Sequence, residues 1–228
     1  MDGWLLTFAT KMSDIEIAIW GIAFLVTLLG CIPYGIWMIY TAVKKRWKRL
    51  GLQIGIPIIG YGLLIAVLLM VNAVAYERYL EGLYDTEVSL GSPIFEYDSD
   101  RGFNGDGYSI SVYELPPSIR TRFEAADETL LSDYPKHPSY RDHWSFERWR
   151  RSPFDEEFEE YLDFALSSYD AGNASEVTKH FEAIRSALKS EGSFYAFFYN
   201  RPSSYVGDVD FFVVDLVSGR LYSINHNT

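Results

Sequence analysis

The segment Lys44-Lys45-Arg46-Trp47-Lys48-Arg49 separates two long apolar runs, each of 27 residues and without a charged side chain. The first run extends from Ile17 to Val43 and the second from Leu50 to Tyr76. A helix needs about 20 apolar residues to cross the hydrocarbon core of a bilayer, where its backbone amides must be satisfied within the helix. The sequence therefore predicts a transmembrane helical hairpin over residues 16–82 with a basic turn at residues 44–49.

The basic residues of this turn predict the orientation of the hairpin: Lys44, Lys45, Arg46, Lys48 and Arg49. Lysines and arginines next to membrane helices are retained on the cytoplasmic side. Both chain termini are then expected in the periplasm, with the protein in a bacterial inner membrane. For residues 1–15, the outward N-terminal segment, a helix lying on the membrane surface and a frayed terminus are both open interpretations.

Charge and cysteine content constrain the remaining chain. Residues 1–75 carry a net charge of +3, whereas residues 76–228 carry −14. An acidic domain repels nucleic acid and favours basic partners or cations, although acidity also serves solubility alone. The single cysteine, Cys31, lies in the first apolar run. An outward domain without disulfides is more typical of the bacterial periplasm than of small extracellular animal domains.

Residues 83–228 predict a soluble periplasmic α+β domain. Alternating apolar residues indicate strands at residues 94–97, 108–115, 193–200, 208–216 and 220–225. Helical spacing and capping residues indicate about three helices, which begin near Pro117, at Ser152-Pro153 and at Asn173. Strands followed by helices and a three-stranded meander predict an antiparallel sheet with helices on one face.

The loop from Asp98 to Asp106, with Asp100 between them, alternates acidic residues and glycines. Calcium loops have this alternation, but Ser109 stands at position 12, where a calcium loop has an acidic ligand. A plain hairpin loop that offers an exposed binding surface is the favoured interpretation. The three aspartates are accordingly candidate binding residues, and no metal or cofactor is expected.

The other chemistry-bearing residues do not predict an enzyme. Asp208 and Asp210 share one face of a predicted strand, for which an exposed surface is the simplest explanation. No nucleophile elbow or phosphate-binding glycine loop occurs in the sequence. The four histidines lack the close spacing of zinc ligands: they are His137, His143, His180 and His226.

Aromatic residues mixed with arginines form the second set of candidate binding residues. Trp144 and Trp149 flank Arg148 in a segment that contains further arginines. Trp and Arg dominate the energetics of protein–protein interfaces, so an exposed cluster of this kind would predict a partner. Aromatic segments also fill the cores of domains of this size. Both interpretations stay open from the sequence.

The layout of the chain resembles that of membrane-anchored immunity proteins, which protect bacteria from secreted toxins. The shared features are the hairpin around residues 44–49 and the acidic, disulfide-free domain that follows. The resemblance implies a periplasmic binding module that neutralises a cognate toxin at the envelope, through the domain, the hairpin or both. An accessory or sensory subunit of an inner-membrane complex is the alternative. A third possibility is an envelope hydrolase or calcium-dependent binder that uses the loop at residues 98–106.

Overall fold

The computed structural model describes Leu25, Thr27 and residues 29–99, 102, 106–137, 143–167, 174–202 and 205–228. Residues 1–15, Asp100 and Asn173, for which the sequence makes predictions, lie outside the described residues. The chain divides into two compact units, of which the first ends at Met70 and the second begins at Val71.

Two apolar helices flank the basic turn. Helix α1 covers Leu29–Val43, and helix α2 covers Trp47–Tyr84. At 1.5 Å per residue, the 38 residues of α2 extend over about 57 Å. Among the described residues, α2 is the one helix long and apolar enough to cross a membrane, since the described part of α1 is too short. One candidate membrane helix is therefore found where the sequence predicts two, and the start of the first apolar run lies outside the described residues.

Most of the apolar part of α2 is exposed in the described chain. Ile58, Leu63 and Met70 are each more than three-fifths exposed. A Cβ atom added at Gly51 or Gly55 would meet no described heavy atom within 4 Å, so these glycines do not pack against α1. An exposed apolar surface of this size is typical of a segment that contacts lipid or another protein segment.

The second unit is a mixed α+β domain with a six-stranded antiparallel sheet. The strand order is β1-β2-β6-β5-β4-β3. The strands are β1 Phe95–Asp98, β2 Gly107–Glu114, β3 Ser145–Arg151, β4 Ser193–Asn200, β5 Asp208–Asp215 and β6 Arg220–Asn227. The helices are α3 Pro117–Ala125, α4 Glu128–Asp133, α5 Glu159–Ala165 and α6 Ala174–Lys189, with a 3-10 turn at Glu156–Phe158.

Helices cover both faces of the sheet, which corrects the expectation of helices on one face. Phe197 and Phe211 are buried on the face that α5 and α6 cover. Phe212 is buried on the opposite face together with Phe123 of α3 and Leu83 of α2. The reason is the sequence of β4 and β5, whose alternate apolar residues point to both sides. The last turns of the apolar helix α2 therefore belong to the domain core.

Strand β3 is an element that the sequence pattern does not predict. A β-bulge interrupts its pairing with β4 between Glu147 and Arg150, and a bulge shifts the alternation of side chains. Because of that shift, Trp149 points into the core although charged residues surround it in the sequence. The outer edge of the strand is partly covered, since the Trp149 amide donates to the Tyr134 carbonyl over 2.9 Å.

Two predicted helix boundaries are wrong for local reasons. Ser152 does not cap a helix, because it continues the strand pairing and its hydroxyl accepts a hydrogen bond from the Ser193 amide. The helical turn begins later, where the Asp155 carboxylate accepts a 3.2 Å bond from the Glu157 amide. The helix predicted from Pro117 is two helices, since Ala126 adopts a φ of 29° between them.

Candidate functional site

Helices α3 and α4 cover one half of one face of the sheet. The other half of the same face is polar. Side chains at alternate strand positions share a face, and the strand register brings ten polar positions of β1, β2, β6, β5 and β4 together. We call this set the acidic sheet face: Glu96, Asp98, Ser109, Ser111, Asn200, Asp208, Asp210, Ser223, Asn225 and Asn227.

The composition of the acidic sheet face is one-sided. Its ten side chains comprise four carboxylates, three amides and three hydroxyls, without a cation or an apolar side chain. Phe198 and Phe212 mark its border, because they stand next to Asp210 and Ser223 in the register and belong to the apolar half. The face thus presents hydrogen-bond acceptors over five strands, and its carboxylates lie on β1 and β5.

Amide side chains hold two of the carboxylates in place. Asn225 Nδ2 donates to Asp210 Oδ1 over 2.6 Å and lies 3.2 Å from Asn227 Oδ1. On the neighbouring strand pair, Asn200 Nδ2 donates to Asp208 Oδ2 over 2.9 Å. Fixed side chains lose less conformational freedom when a partner binds, so this network favours a preorganised surface.

The two strand aspartates differ in exposure, which modifies the expectation of an exposed face. Asp210 is 7% exposed, whereas Asp208 is half-buried. Asp210 lies between Asn225 and Phe198 in the register, so its neighbours on both sides shield it. Glu96 and Asp98 on the edge strand β1 are exposed. The accessible charge of the face is therefore at β1 and at Asp208.

The aspartates predicted from the loop after β1 lie at or beside this face. Asp98 is the last residue of β1 and belongs to the acidic sheet face. Asp106 is exposed and immediately precedes β2. Asp100 lies outside the described residues. Within the described residues, no group of three or more His, Cys, Asp or Glu side chains is arranged to hold a metal ion.

The aromatic candidates lie at β3, the edge strand at the opposite side of the sheet from β1. Trp149 is 1% exposed and Trp144 is 7% exposed, so both rings contribute to the core. Arg148 is exposed, with its guanidinium 3.9 Å from an Asp133 carboxylate oxygen and 5.7 Å from the centre of the Phe146 ring. Of the three, Arg148 is the side chain that a partner could reach.

Trp149 satisfies a backbone carbonyl group at the C-terminal end of α2. The last carbonyl groups of a helix lack partners within the helix and need donors from elsewhere. Trp149 Nε1 donates to the Leu83 carbonyl over 2.7 Å, and the Lys136 amide donates to the Gly82 carbonyl over 2.8 Å. The Asp85 amide closes the final turn by donating to Glu81, with Asp85 at a φ of 55°.

An arginine joins this helix end to the loop between α3 and α4. Arg122 Nε lies 2.8 Å from Asp85 Oδ2, and its terminal nitrogen lies 2.8 Å from Asp127 Oδ1. The hydrogen bond from Arg122 holds the pKa of Asp127 below its ordinary value. Asp127 also accepts from the Leu130 amide and so caps α4. One guanidinium therefore connects the end of α2 with the start of α4.

The polar residues of β6 were not among the candidates from the sequence. Ser223, Asn225 and Asn227 alternate with apolar or buried residues, which is the pattern of a strand with one polar face. The pattern shows that such a face exists, but only the register shows that Asp208, Asp210 and the residues of β1 lie on the same side.

Comparison of the chain with protein-family models, with curated proteins and with solved structures found no match.

Proposed function

We propose that the protein is a membrane-anchored binding module of the bacterial envelope, an immunity protein that neutralises a cognate secreted toxin. The observation that carries this proposal is the acidic sheet face, where ten polar positions on five strands include four carboxylates and no cation. An ordered, negatively charged surface on a domain that follows an apolar helix suits the capture of a basic protein at a membrane.

The electrostatics of the domain favour a basic partner. The net charge of −14 over residues 76–228 attracts cationic proteins from a distance, and the acidic sheet face supplies a complementary surface at contact. Binding of this kind is fast at low ionic strength and weakens as salt screens the charges. A toxin whose basic surface is covered in this way cannot bind its own target.

The membrane arrangement in this proposal is a two-helix hairpin with a cytoplasmic basic turn, both termini in the periplasm and the C-terminal domain outside the cytosol. The antiparallel course of α1 and α2 supports it, because the Tyr34 hydroxyl donates to the Gln53 carbonyl across the turn. The Arg46 amide also donates to the Thr41 carbonyl, which closes the turn tightly.

The test uses full-length protein, purified in detergent and immobilised, exposed to proteins secreted by the same bacterium. We expect it to retain a small basic protein, which is identified by mass spectrometry. A Glu96→Gln/Asp98→Asn/Asp208→Asn variant removes three charges with little change in shape, and we expect retention to fall at least about tenfold.

The matched control removes three exposed carboxylates on the other side of the sheet: Glu156→Gln/Glu159→Gln/Glu182→Gln. This variant should retain the partner like the wild type. The captured protein, exported to the periplasm, should arrest growth unless the full-length chain is produced with it. The proposal fails if the captured protein is harmless, or if both triple variants bind it equally.

The alternative function is an accessory or sensory subunit of a larger inner-membrane complex. The observation in its favour is the exposed helix α2, in which Gly51 and Gly55 leave open space beside the described chain. Small residues four apart allow two membrane helices to approach closely. Gly51→Leu/Gly55→Leu would release a membrane partner in this case and leave toxin capture unchanged in the first.

A further inference from the structure

The turn between α1 and α2 concentrates positive charge in a very short segment. Helix α1 ends at Val43 and α2 begins at Trp47. Lys45 adopts a left-handed φ of 53°, and its amide donates to the Ala42 carbonyl over 2.8 Å. The chain therefore reverses within three residues, and five cationic side chains project from one end of the helix pair, all of them exposed.

These cations have no acidic neighbours in the sequence, because no Asp or Glu occurs between Ile17 and Tyr76. Arginines of the domain differ in this respect: Arg122 and Arg201 each lie 2.8 Å from a carboxylate oxygen. Lys48 and Arg49 lie in the first turn of α2, at the positive end of the helix dipole, and no acidic residue of that turn offsets their charge. Within the described residues, no carboxylate forms an ion pair with these five cations, so the turn is a concentrated positive charge that attracts anions.

Aromatic side chains fix the depth at which those anions would be found. Trp47 is 66% exposed, and Trp37 and Tyr40 on α1 are also more than half exposed. Exposed Trp and Tyr at the end of an apolar helix settle at the level of the lipid headgroups. The cations beside them are then at the level of the headgroup phosphates.

We propose that the basic turn, residues 44–49, is a binding site for the headgroups of anionic phospholipids. Lysines and arginines directly beside a membrane helix attract anionic lipids through short-range charge interactions. The site is separate from the acidic sheet face and does not depend on the proposed toxin. Its occupancy would select the lipids that surround the helix pair.

The test titrates full-length protein in detergent with phosphatidylglycerol or phosphatidylcholine and counts bound lipids by native mass spectrometry. We expect phosphatidylglycerol to bind at least about tenfold more tightly. In a Lys44→Gln/Lys45→Gln/Lys48→Gln variant this preference should disappear. The matched control removes three exposed lysines of the domain, Lys136→Gln/Lys179→Gln/Lys189→Gln, and should keep the preference.

A Lys44→Arg/Lys45→Arg/Lys48→Arg variant retains the charge and should bind phosphatidylglycerol like the wild type, which separates charge from folding. Inorganic phosphate is added in a parallel titration and should not displace the lipid. Equal binding of the two lipids to the wild type would overturn the proposal. Displacement by inorganic phosphate would also overturn it, since the turn would then be a site for free anions.

Discussion

His180 is a half-buried histidine of α6, and its ring centre lies 4.3 Å from that of Phe95 on β1. Burial lowers the pKa of His180 below its ordinary value of 6.5, and Arg220 and Lys179 lower it further, whereas Glu176 opposes the shift. The unfolded chain therefore takes up a proton here at higher pH than the folded chain. The contribution of neutral His180 to the free energy of unfolding is fully present above pH 6.5. It is lost as the pH falls through the lowered pKa of the folded state.

This linkage predicts a pH-dependent stability that one substitution removes. From about pH 7.5 to about pH 5.5, the wild-type melting temperature should fall more than that of His180→Phe, which keeps a ring against Phe95 but cannot be protonated. The measurement is thermal unfolding in detergent at each pH, followed by circular dichroism. Parallel losses in the two proteins would show that His180 does not cause the dependence.

The sequence predicted the burial of an individual side chain only where the alternation within its own strand decides it. The alternation of β6 indicates that Asn225 faces away from the buried Ile224. It does not indicate that Asp210 is shielded while Asp208 is accessible, because that depends on the neighbouring strands. Trp149 is the opposite case: arginines on both sides suggest an exposed cluster, but the bulge in β3 turns the indole into the core.

At the scale of elements, the junction between α2 and the domain depends on one indole. Trp149 packs against Tyr84 and Phe123, with ring centres 5.8 and 4.8 Å away, and its Nε1 satisfies the Leu83 carbonyl. Trp149→Phe keeps an aromatic ring and leaves this buried carbonyl without its donor. We expect a loss of about 1–3 kcal/mol in the free energy of unfolding.

Trp149→Ala also removes the ring packing and should cost about 3–5 kcal/mol. Urea denaturation in detergent, followed by tryptophan fluorescence, measures both variants. Trp47→Phe serves as the control, since Trp47 is largely exposed in the basic turn and should change stability very little. If Trp149→Phe were as stable as this control, the indole would not hold the end of α2.

The strands were easier to predict than the helices. Five of the six strands have regular alternation or an apolar run, and the turn at residues 217–219 joins β5 and β6 as the glycine there suggests. Strand β3 was missed because charged residues and a bulge obscure its alternation. The helix start at Ser152-Pro153 was wrong because the serine hydroxyl has a second possible use, as an acceptor for a neighbouring strand.

At the scale of the whole molecule, the orientation in the membrane can be tested with single cysteines. In a Cys31→Ser background, Ser186→Cys places a thiol on exposed α6, and Trp47→Cys places one in the basic turn without changing its charge. A membrane-impermeant maleimide, added to cells with a permeabilised outer membrane, should label Ser186→Cys. Labelling of Trp47→Cys should require opening of the inner membrane. The reverse pattern would contradict the periplasmic location.

The general class of the molecule was accessible from the sequence, since an apolar helix and an α+β domain follow from charge-free runs and period-two patterns. The sequence did not show that both faces of the sheet are covered, because part of the cover on the second face is the end of α2, which resembles a membrane segment in sequence. Leu80, Leu83 and Tyr84 follow that segment closely, and nothing in their spacing distinguishes a helix end in solvent from one in a core.

Only Glu77, Arg78 and Tyr79 separate the apolar run of α2 from Leu80, which is 2% exposed in the domain core. The chain therefore has no linker at which this domain could be separated from the apolar run. A fragment that starts at residue 83 would lack Leu80, which belongs to its hydrophobic core. A fragment that starts early enough to keep Leu80 begins directly after the apolar run of α2. Such a fragment will aggregate unless the exposed apolar residues that it retains from α2 are replaced by polar ones.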